Sequence, residues 1–175
     1  RHSNAVGYYT LALSPDGRML VTGGKDQRAV RWDVATGKAI DPPLLHNSPV
    51  HRIAFCRGGQ RIITGTRDGR VHVWDAATAL SSALPPQGTS VTSLAVSPGG
   101  RTFATGTAGG VVRLWDATML GQTGQTFILG SAVTGLAFGP EGRTLATGQD
   151  DGTIRLWDVP RSKALGLPLR TGSAL

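Results

Sequence analysis

The stretch Gly148 to Asp158 reads G-Q-D-D-G-T-I-R-L-W-D, and related versions of it recur along the chain. Each version ends in a Trp-Asp pair, and these pairs contain all four tryptophans: Trp32, Trp74, Trp115 and Trp157. Consecutive pairs lie 42, 41 and 42 residues apart. A fixed period of this length indicates one small structural unit that is repeated. We therefore predict a single domain over residues 1–175, with repeats at about 7–48, 49–89, 90–131 and 132–173.

Each repeat opens with a short apolar segment that is too brief for a helix and is followed at once by a turn. In the first repeat the turn is S-P-D-G at residues 14–17, where proline fixes one φ and glycine accepts a positive φ. Two further short segments follow, and the second of them ends in tryptophan. The last segments, 39–45, 79–86, 122–129 and 163–170, contain proline in three of the four repeats, and proline belongs at sheet edges. The pattern predicts four antiparallel strands per repeat.

The middle of every first strand holds alanine between larger apolar residues, at Ala12, Ala54, Ala95 and Ala137. The third strand carries tryptophan instead. A sheet that is narrow at one edge and wide at the other fits a radial stack, and a single four-stranded sheet cannot bury two apolar faces alone. The predicted fold class is therefore all-β, a β-propeller with four blades of four antiparallel strands.

Ring closure follows from the number of blades. Four blades of a seven-bladed ring cover little more than half a circle, so we expect an open arc. The sequence starts at Arg1 rather than at methionine, and it ends in phase with its own repeat. We interpret it as a fragment of a larger propeller, with the remaining blades from the parent chain or from a second copy. The alternative is a tight four-bladed ring, in which blade four would pack on blade one.

The net charge is +7, from fifteen arginines and three lysines against ten aspartates and one glutamate. The single cysteine, Cys56, excludes an internal disulfide and a cysteine-based zinc cluster. No apolar run approaches the length that a membrane span needs. His51 and His72 have no second ligand at metal spacing, so we predict no metal site.

The combination of S-P-D-G, T-G-x-x-D-G and T-I-R-L-W-D at this period resembles the WD-repeat β-propellers, over essentially the whole chain. In that family a histidine before the first strand, a Ser or Thr in the second, an Asp in the next turn and the Trp of the third form a buried hydrogen-bond network. The resemblance assigns these roles in repeat two to His46, Thr64, Asp68 and Trp74.

The same resemblance implies partial networks in the other repeats. Their members are Thr22, Asp26 and Trp32 in repeat one, Thr105 and Trp115 in repeat three, and Thr147, Asp151 and Trp157 in repeat four. Gln87 and Leu129 stand where histidine is expected. Repeat one also has Arg31 where the others have an aliphatic residue, and an unpaired buried arginine is costly. We expect the face around Arg31 to be open, or a carboxylate to pair with it.

The resemblance implies a non-catalytic scaffold for protein interactions, without a cofactor and located in the cytoplasm. His46, Thr64 and Asp68 include the parts of a nucleophilic triad, but a threonine in mid-strand favours a structural role, so we predict no catalytic residue. One alternative is a regulatory or targeting module of a larger bacterial enzyme such as a Ser/Thr kinase. Nucleic-acid binding through the arginines is another, although aromatic residues for base stacking are not interleaved with them.

The resemblance also places partner binding at the turns between the second and third strands. In repeats one and two these turns carry Lys25, Arg28, Arg67 and Arg70, whereas Asp150 occupies the corresponding turn of repeat four. Half of this face is thus basic. We expect an acidic peptide or an acidic protein surface to dock over repeats one and two. The alternative is that these charges only confer solubility.

Overall fold

The computed structural model describes residues 8–124 and 126–170, and in that part of the chain it contains strands and one short 3₁₀ turn at Arg57–Gly59. The strands are β1 (Tyr8–Leu13), β2 (Met19–Gly24), β3 (Arg28–Asp33), β4 (Ala39–Leu45), β5 (Val50–Cys56), β6 (Arg61–Thr66), β7 (Val71–Asp75), β8 (Ser81–Ala83), β9 (Val91–Val96), β10 (Thr102–Thr107), β11 (Val111–Asp116), β12 (Phe127–Ile128), β13 (Val133–Phe138), β14 (Thr144–Gln149), β15 (Thr153–Asp158) and β16 (Lys163–Arg170).

Four consecutive strands form each sheet, and neighbouring strands are antiparallel throughout. Blades one to four are β1–β4, β5–β8, β9–β12 and β13–β16. The predicted all-β class with four-stranded blades is confirmed. The outer strands of blades two and three are shorter than the predicted segments 79–86 and 122–129. In blade two, Pro85 and Pro86 lack the N–H groups that would extend the ladder.

Each blade has two apolar faces that pack on different neighbours. We call the face toward the next blade in the chain the front face and the opposite one the back face. In blade two, Val71 and Val73 lie on the front face and join a core cluster with blade three. Ile62 and Trp74 lie on the back face, in a cluster with blade one. The core of the molecule is therefore a series of layers between blades.

The tightest contact in these layers joins a glycine of one blade to a valine of the next. A Cβ atom built on Gly65 would lie 2.5 Å from Val91 Cγ1, and one on Gly106 would lie 2.5 Å from Val133 Cγ1. Gly23 meets Val50 in the same way, at 2.7 Å. Any side chain at these glycines would push the blades apart. The T-G dipeptides of repeats one to three thus fix the spacing between successive blades.

The four blades form an open arc, as predicted. The innermost strands pack in the order β1, β5, β9 and β13. Among the described residues, no strand of blade four packs extensively on blade one. The tight four-bladed ring, which requires that contact, is therefore excluded.

The expectation for Arg31 is wrong. Its side chain is 1% exposed, and its partners are main-chain carbonyls rather than a carboxylate. Nη1 donates to the carbonyls of Ala76 and Ala77, at 2.7 and 3.2 Å, and Nη2 to those of Asp41 and Pro42, at 3.4 and 3.0 Å. Burial lowers the pKa of Arg31, and the charges of Asp41 and Asp75 oppose that effect. The guanidinium joins blade one to the β7–β8 turn of blade two.

The glycine–valine contact predicts an asymmetric response to adding one methyl group. Gly65→Ala should lower the free energy of unfolding by about 1–3 kcal/mol, because the new Cβ overlaps Val91 and the blades are closely packed. Gly135→Ala is the matched control, since this strand glycine has no neighbour within 4 Å of a built Cβ. Chemical denaturation of both variants measures the difference. Equal stability of the two variants would contradict the assigned contact.

Candidate functional site

The buried polar cluster of blade two contains His46, Thr64 and Trp74. Trp74 Nε1 donates to Thr64 Oγ1 at 2.9 Å, and His46 Nε2 lies 2.8 Å from the same oxygen. His46 Nδ1 lies 3.1 Å from the carbonyl oxygen of Leu44, which can only accept, so Nδ1 carries the proton. Nε2 then accepts from the Thr64 hydroxyl. Every polar atom of the cluster is paired when the imidazole is neutral.

Asp68 lies beside this cluster and bonds to other residues. Its Oδ1 accepts from the Thr66 hydroxyl at 2.5 Å, and its Oδ2 lies 3.3 Å from Arg70 Nε. The Asp68 backbone N–H donates to Ser48 Oγ at 3.2 Å. The carboxylate thus organises the β6–β7 turn and does not contact His46 directly.

Blade three builds a similar relay with glutamine in place of histidine. Trp115 Nε1 donates to Thr105 Oγ1 at 3.0 Å, and this hydroxyl donates to Gln87 Oε1 at 3.3 Å. Gln87 Nε2 donates to the Pro85 carbonyl at 2.6 Å, two residues back, as His46 does to Leu44. Arg113 also donates to Gln87 Oε1, at 2.9 Å. From the sequence, Gln87 counted only as a departure from the expected histidine, although its amide can both donate and accept and so can take the place of an imidazole.

Blades one and four keep the tryptophan–threonine bond, with Trp32 Nε1 2.8 Å from Thr22 Oγ1 and Trp157 Nε1 3.1 Å from Thr147 Oγ1. Asp151 accepts from the Thr153 N–H at 2.9 Å and from the Ser131 hydroxyl at 3.2 Å. Asp26 is half-buried in the β2–β3 turn. The bond from tryptophan to threonine is therefore the element that all four blades share.

The polar clusters offer little for chemistry on a substrate. Thr64 is 0% exposed, and its hydroxyl oxygen already accepts from Trp74. Among the described residues, no group of three or more His, Cys, Asp or Glu side chains is arranged to hold a metal ion. Burial raises the pKa of the Cys56 thiol to about 11, which disfavours the reactive thiolate. The clusters hold strands together.

The exposed basic residues that the sequence singled out lie in the turns at one end of blades one and two. Lys25 lies in the β2–β3 turn and Arg28 begins β3, while Arg67 and Arg70 lie in the β6–β7 turn; all four side chains are exposed. We call these four residues the basic turn surface. Arg70 pairs with Asp68, whereas Arg28 and Arg67 form no ion pair with any described residue. Asp150, in the corresponding turn of blade four, lies two blades further along the arc.

The structure adds His51 and Arg52 of β5 to the candidate residues. From the sequence, His51 was considered only as a metal ligand, and Arg52 was missed. A register irregularity between Val50 and Arg52 interrupts the strand there, and such bulges re-aim side chains. Arg52 Nη1 donates to the His51 carbonyl at 2.7 Å, and burial lowers its pKa. Burial, then the charges of Arg52 and Arg67, lower the pKa of His51. The signal in the sequence is a cationic residue where the other first strands have Thr10, Ser93 and Gly135.

A cleft of about 670 Å³ lies at the opposite end of the strands, between blades one and two. Its lining includes three aspartates and three arginines: Asp16, Asp33, Asp75, Arg18, Arg57 and Arg61. Because these six charges balance, the cleft favours neither an anionic nor a cationic ligand. The end that carries the basic turn surface is therefore the better candidate for a charged partner.

The buried relay predicts unequal costs for the same isosteric change in two blades. Thr64→Val removes the acceptor of the Trp74 N–H and the donor to His46, so we expect a loss of about 2–4 kcal/mol in unfolding free energy. Thr147→Val leaves the Trp157 N–H without its acceptor and should cost about 1–2 kcal/mol. Denaturant titrations compare the two. A larger loss for Thr147→Val would refute the relay.

His46 predicts a loss of stability in acid. Burial, then the proximity of His72, lower the pKa of His46 to about 4, whereas the unfolded value is 6.5. The unfolded chain therefore takes up the proton first, and the unfolding free energy falls as the pH drops from about 6.5 to 4. The shift corresponds to about 3 kcal/mol at most.

The control for this titration is His46→Gln, which copies Gln87 of blade three. Titrating groups that are distant from His46 contribute equally to both proteins, whereas His72, whose ring centroid lies 5.4 Å from that of His46, is coupled to it. The difference in unfolding free energy between the wild type and the variant, measured from pH 7.5 to about 4, therefore reports His46 together with its coupling to His72. A constant difference across that range would contradict a buried neutral imidazole.

In the described part of the chain, no helix has the length and hydrophobicity needed to cross a bilayer.

Parts of the chain are similar to known proteins. A stretch of 55 residues is 38% identical to the small ribosomal subunit protein RACK1 of Drosophila melanogaster. This stretch makes up 31% of this chain and 17% of that protein. A stretch of 51 residues is 43% identical to the small ribosomal subunit protein RACK1z of Arabidopsis thaliana. This stretch makes up 29% of this chain and 15% of that protein. The matches thus span less than a fifth of these relatives.

A chain in the crystal structure of a mitotic checkpoint complex superimposes with a TM-score of 0.90 at 23% identity, over 99% of this chain and 54% of that one. This likeness concerns the fold. The family model for the WD domain, G-beta repeat, matches residues 1–33, 44–75, 80–116 and 122–158, which is most of the sequence. With its four open-arc blades and shared tryptophan–threonine bonds, the chain belongs to the WD40 repeat family.

Proposed function

We propose that this chain is a protein-interaction scaffold whose basic turn surface binds an acidic segment of a partner protein. The observation that carries the proposal is the concentration of positive charge on blades one and two. Arg28 and Arg67 are exposed and form no ion pair with a described residue, and Arg52 lies half-buried beside His51. A partner carboxylate would supply a counter-charge for Arg28 and Arg67.

The rigidity of the blades supports a scaffold role. Inter-blade layers and buried relays hold the strands, whereas the basic residues lie in turns and at a bulge, where charge can vary without disturbing the core. The relatives also support it: one is a ribosomal subunit protein, and the other lies in a multi-protein checkpoint complex. We propose a non-catalytic role and a cytoplasmic location on the same grounds.

The alternative of a module attached to a bacterial Ser/Thr kinase has no support in these comparisons, because the matches concern the repeats alone. Nucleic-acid binding would use the same arginines. Among the residues whose burial the structure describes, every tryptophan and phenylalanine is buried or half-buried, so none of them offers an exposed ring that could stack on a base. An acidic protein segment is therefore the favoured ligand.

The test uses a short fluorescent poly-glutamate peptide as the probe and measures anisotropy across a salt titration. The double variant Arg28→Glu, Arg67→Glu should weaken binding by about tenfold or more, because attraction becomes repulsion at the docking surface. The matched control is Arg18→Glu, Arg143→Glu, at the opposite end of the strands. Both variants change the net charge of +7 by the same amount.

Equal weakening in the two double variants would show that net charge alone attracts the peptide, and it would overturn the proposed surface. Failure of the wild type to bind poly-glutamate would overturn the acidic ligand. Tighter binding to a single-stranded oligonucleotide than to poly-glutamate, lost in the same variant, would replace the proposal with nucleic-acid binding.

A further inference from the structure

Two arginines and a histidine meet where the innermost strand of blade two begins. His51 and Arg52 belong to β5, and Arg67 lies in the β6–β7 turn. The backbone N–H of Arg67 donates to the Pro49 carbonyl at 3.0 Å, which ties this turn to the segment before β5. The charges of Arg52 and Arg67 both lower the pKa of His51, so both guanidinium groups lie close to its imidazole. Two elements of the blade thus converge on one ring.

Blade three adds a hydroxyl group at the same place. Ser90, the residue before β9, places its Oγ 3.3 Å from His51 Nδ1. The β6–β7 turn packs closely on this segment, because a Cβ built on Gly69 would lie 2.5 Å from the carbonyl oxygen of Thr89. Ser90, His51 and Arg52 are all half-buried. The cluster therefore lies at the junction of two blades, behind the exposed tips of the turns.

The two guanidinium groups have few partners within the chain. Arg52 Nη1 donates to the His51 carbonyl at 2.7 Å, and burial lowers the pKa of Arg52 because desolvation disfavours the charged form. Neither Arg52 nor Arg67 forms an ion pair with another described residue. Asp68, which follows Arg67 in the turn, pairs with Arg70 instead. Two positive charges thus lie side by side, each without a carboxylate partner among the described residues.

A charge at the position of Arg52 is specific to blade two. Arg52 pairs with Gly65 of the second strand, and the residues in the same register of the other blades are Thr10, Ser93 and Gly135. The blades are therefore built without a charge at this position in three cases out of four. A half-buried arginine is costly unless its donors are satisfied. Its presence here points to a ligand that satisfies them.

A phosphate monoester matches this set of donors better than a carboxylate does. It carries a charge of about −1.5 to −2 at pH 7 and three acceptor oxygens. A carboxylate offers one charge and two oxygens, and the phosphodiester of a nucleic acid offers one charge. The cluster presents two guanidinium groups, an imidazole and a hydroxyl. Guanidinium groups bind phosphate through two parallel N–H bonds, which makes arginine the suitable cation for such a site.

We propose, as a refinement that rests on the proposed function, that His51, Arg52 and Arg67 bind a phosphorylated serine or threonine in the acidic partner segment. Arg52 donates to the phosphate from the half-buried side, and the exposed Arg67 donates from the turn. The Ser90 hydroxyl and the His51 imidazole complete the donors. The basic turn surface attracts the segment, and this cluster distinguishes its phosphorylated form from its unmodified form.

The experiment measures the anisotropy of short fluorescent peptides that are identical except for a central serine, phosphoserine or glutamate. We expect the wild type to bind the phosphoserine peptide about tenfold or more tightly than the glutamate peptide. Arg52→Gln should bring this ratio close to one. Arg18→Gln is the matched control, since it removes one charge at an exposed residue at the opposite end of the strands and should leave the ratio unchanged.

Two further variants separate the role of Arg52 from a loss of folding or of charge. Arg52→Lys keeps the charge without the two-pronged donor, so it should retain only part of the ratio. Arg67→Gln changes an exposed turn residue and should also lower the ratio, which tests the cluster even if Arg52→Gln does not fold. Denaturant titration verifies the fold of each variant. Because a ratio is compared, a general loss of affinity for acidic peptides cancels.

The outcomes distinguish this site from the proposed function. Equal affinity for the phosphoserine and glutamate peptides, with poly-glutamate still bound, would overturn the phosphate site and leave the acidic ligand intact. Binding of the phosphoserine peptide without poly-glutamate binding would do the reverse. An unchanged ratio in both Arg52→Gln and Arg67→Gln would remove these residues from the site.

Three competitors test the source of the phosphate. Inorganic phosphate that displaces the phosphoserine peptide at equal concentration would show that no peptide segment is recognised. Tighter binding of a single-stranded oligonucleotide than of the phosphoserine peptide, lost in Arg52→Gln and Arg67→Gln, would assign the site to nucleic acid. The same result with vesicles that contain a phosphatidylinositol phosphate would assign it to a membrane surface. Each of these results would overturn the phosphorylated segment as the ligand.

Discussion

The contact between glycine in the second strand of one blade and valine in the first strand of the next determines how the rest of the structure is built. A four-stranded sheet with two apolar faces gains stability only when other sheets cover both faces. Gly65 and Gly106 allow the next backbone to approach until valine fills the space. Blades two and three are consequently buried on both faces. Among the described residues, blade one is covered by blade two on one face, and blade four is covered by blade three on one face.

The buried polar groups follow a second constraint, which is that each tryptophan N–H needs an acceptor. Threonine of the second strand supplies it in all four blades, and its hydroxyl then needs an acceptor of its own. His46 and Gln87 meet this need with different chemistry and the same geometry, and each donates a hydrogen bond to the carbonyl two residues back. The relay therefore tolerates substitution wherever the replacement both donates and accepts.

The sequence was sufficient to predict the strands, their antiparallel order and the open arc, because these depend on period, turn residues and blade number. It was insufficient for Arg31, since main-chain carbonyls from two blades meet at that side chain and carry no signature in the sequence. Asp68 shows the same limit. Its place in the motif is clear, but whether the carboxylate contacts His46 or Thr66 depends on the conformation of the turn.

The residues that distinguish this chain lie where regular structure breaks. His51 and Arg52 sit at a bulge, so strict alternation along β5 does not decide which way they point. A charge that is buried between blades needs partners, as Arg31 does. At the bulge, Arg52 stays half-buried and bonds only to the His51 carbonyl, which leaves the rest of its guanidinium for an external acceptor. The bulge that follows Val50, whose side chain packs on Gly23 of blade one, therefore also sets the position of Arg52 in the proposed binding surface.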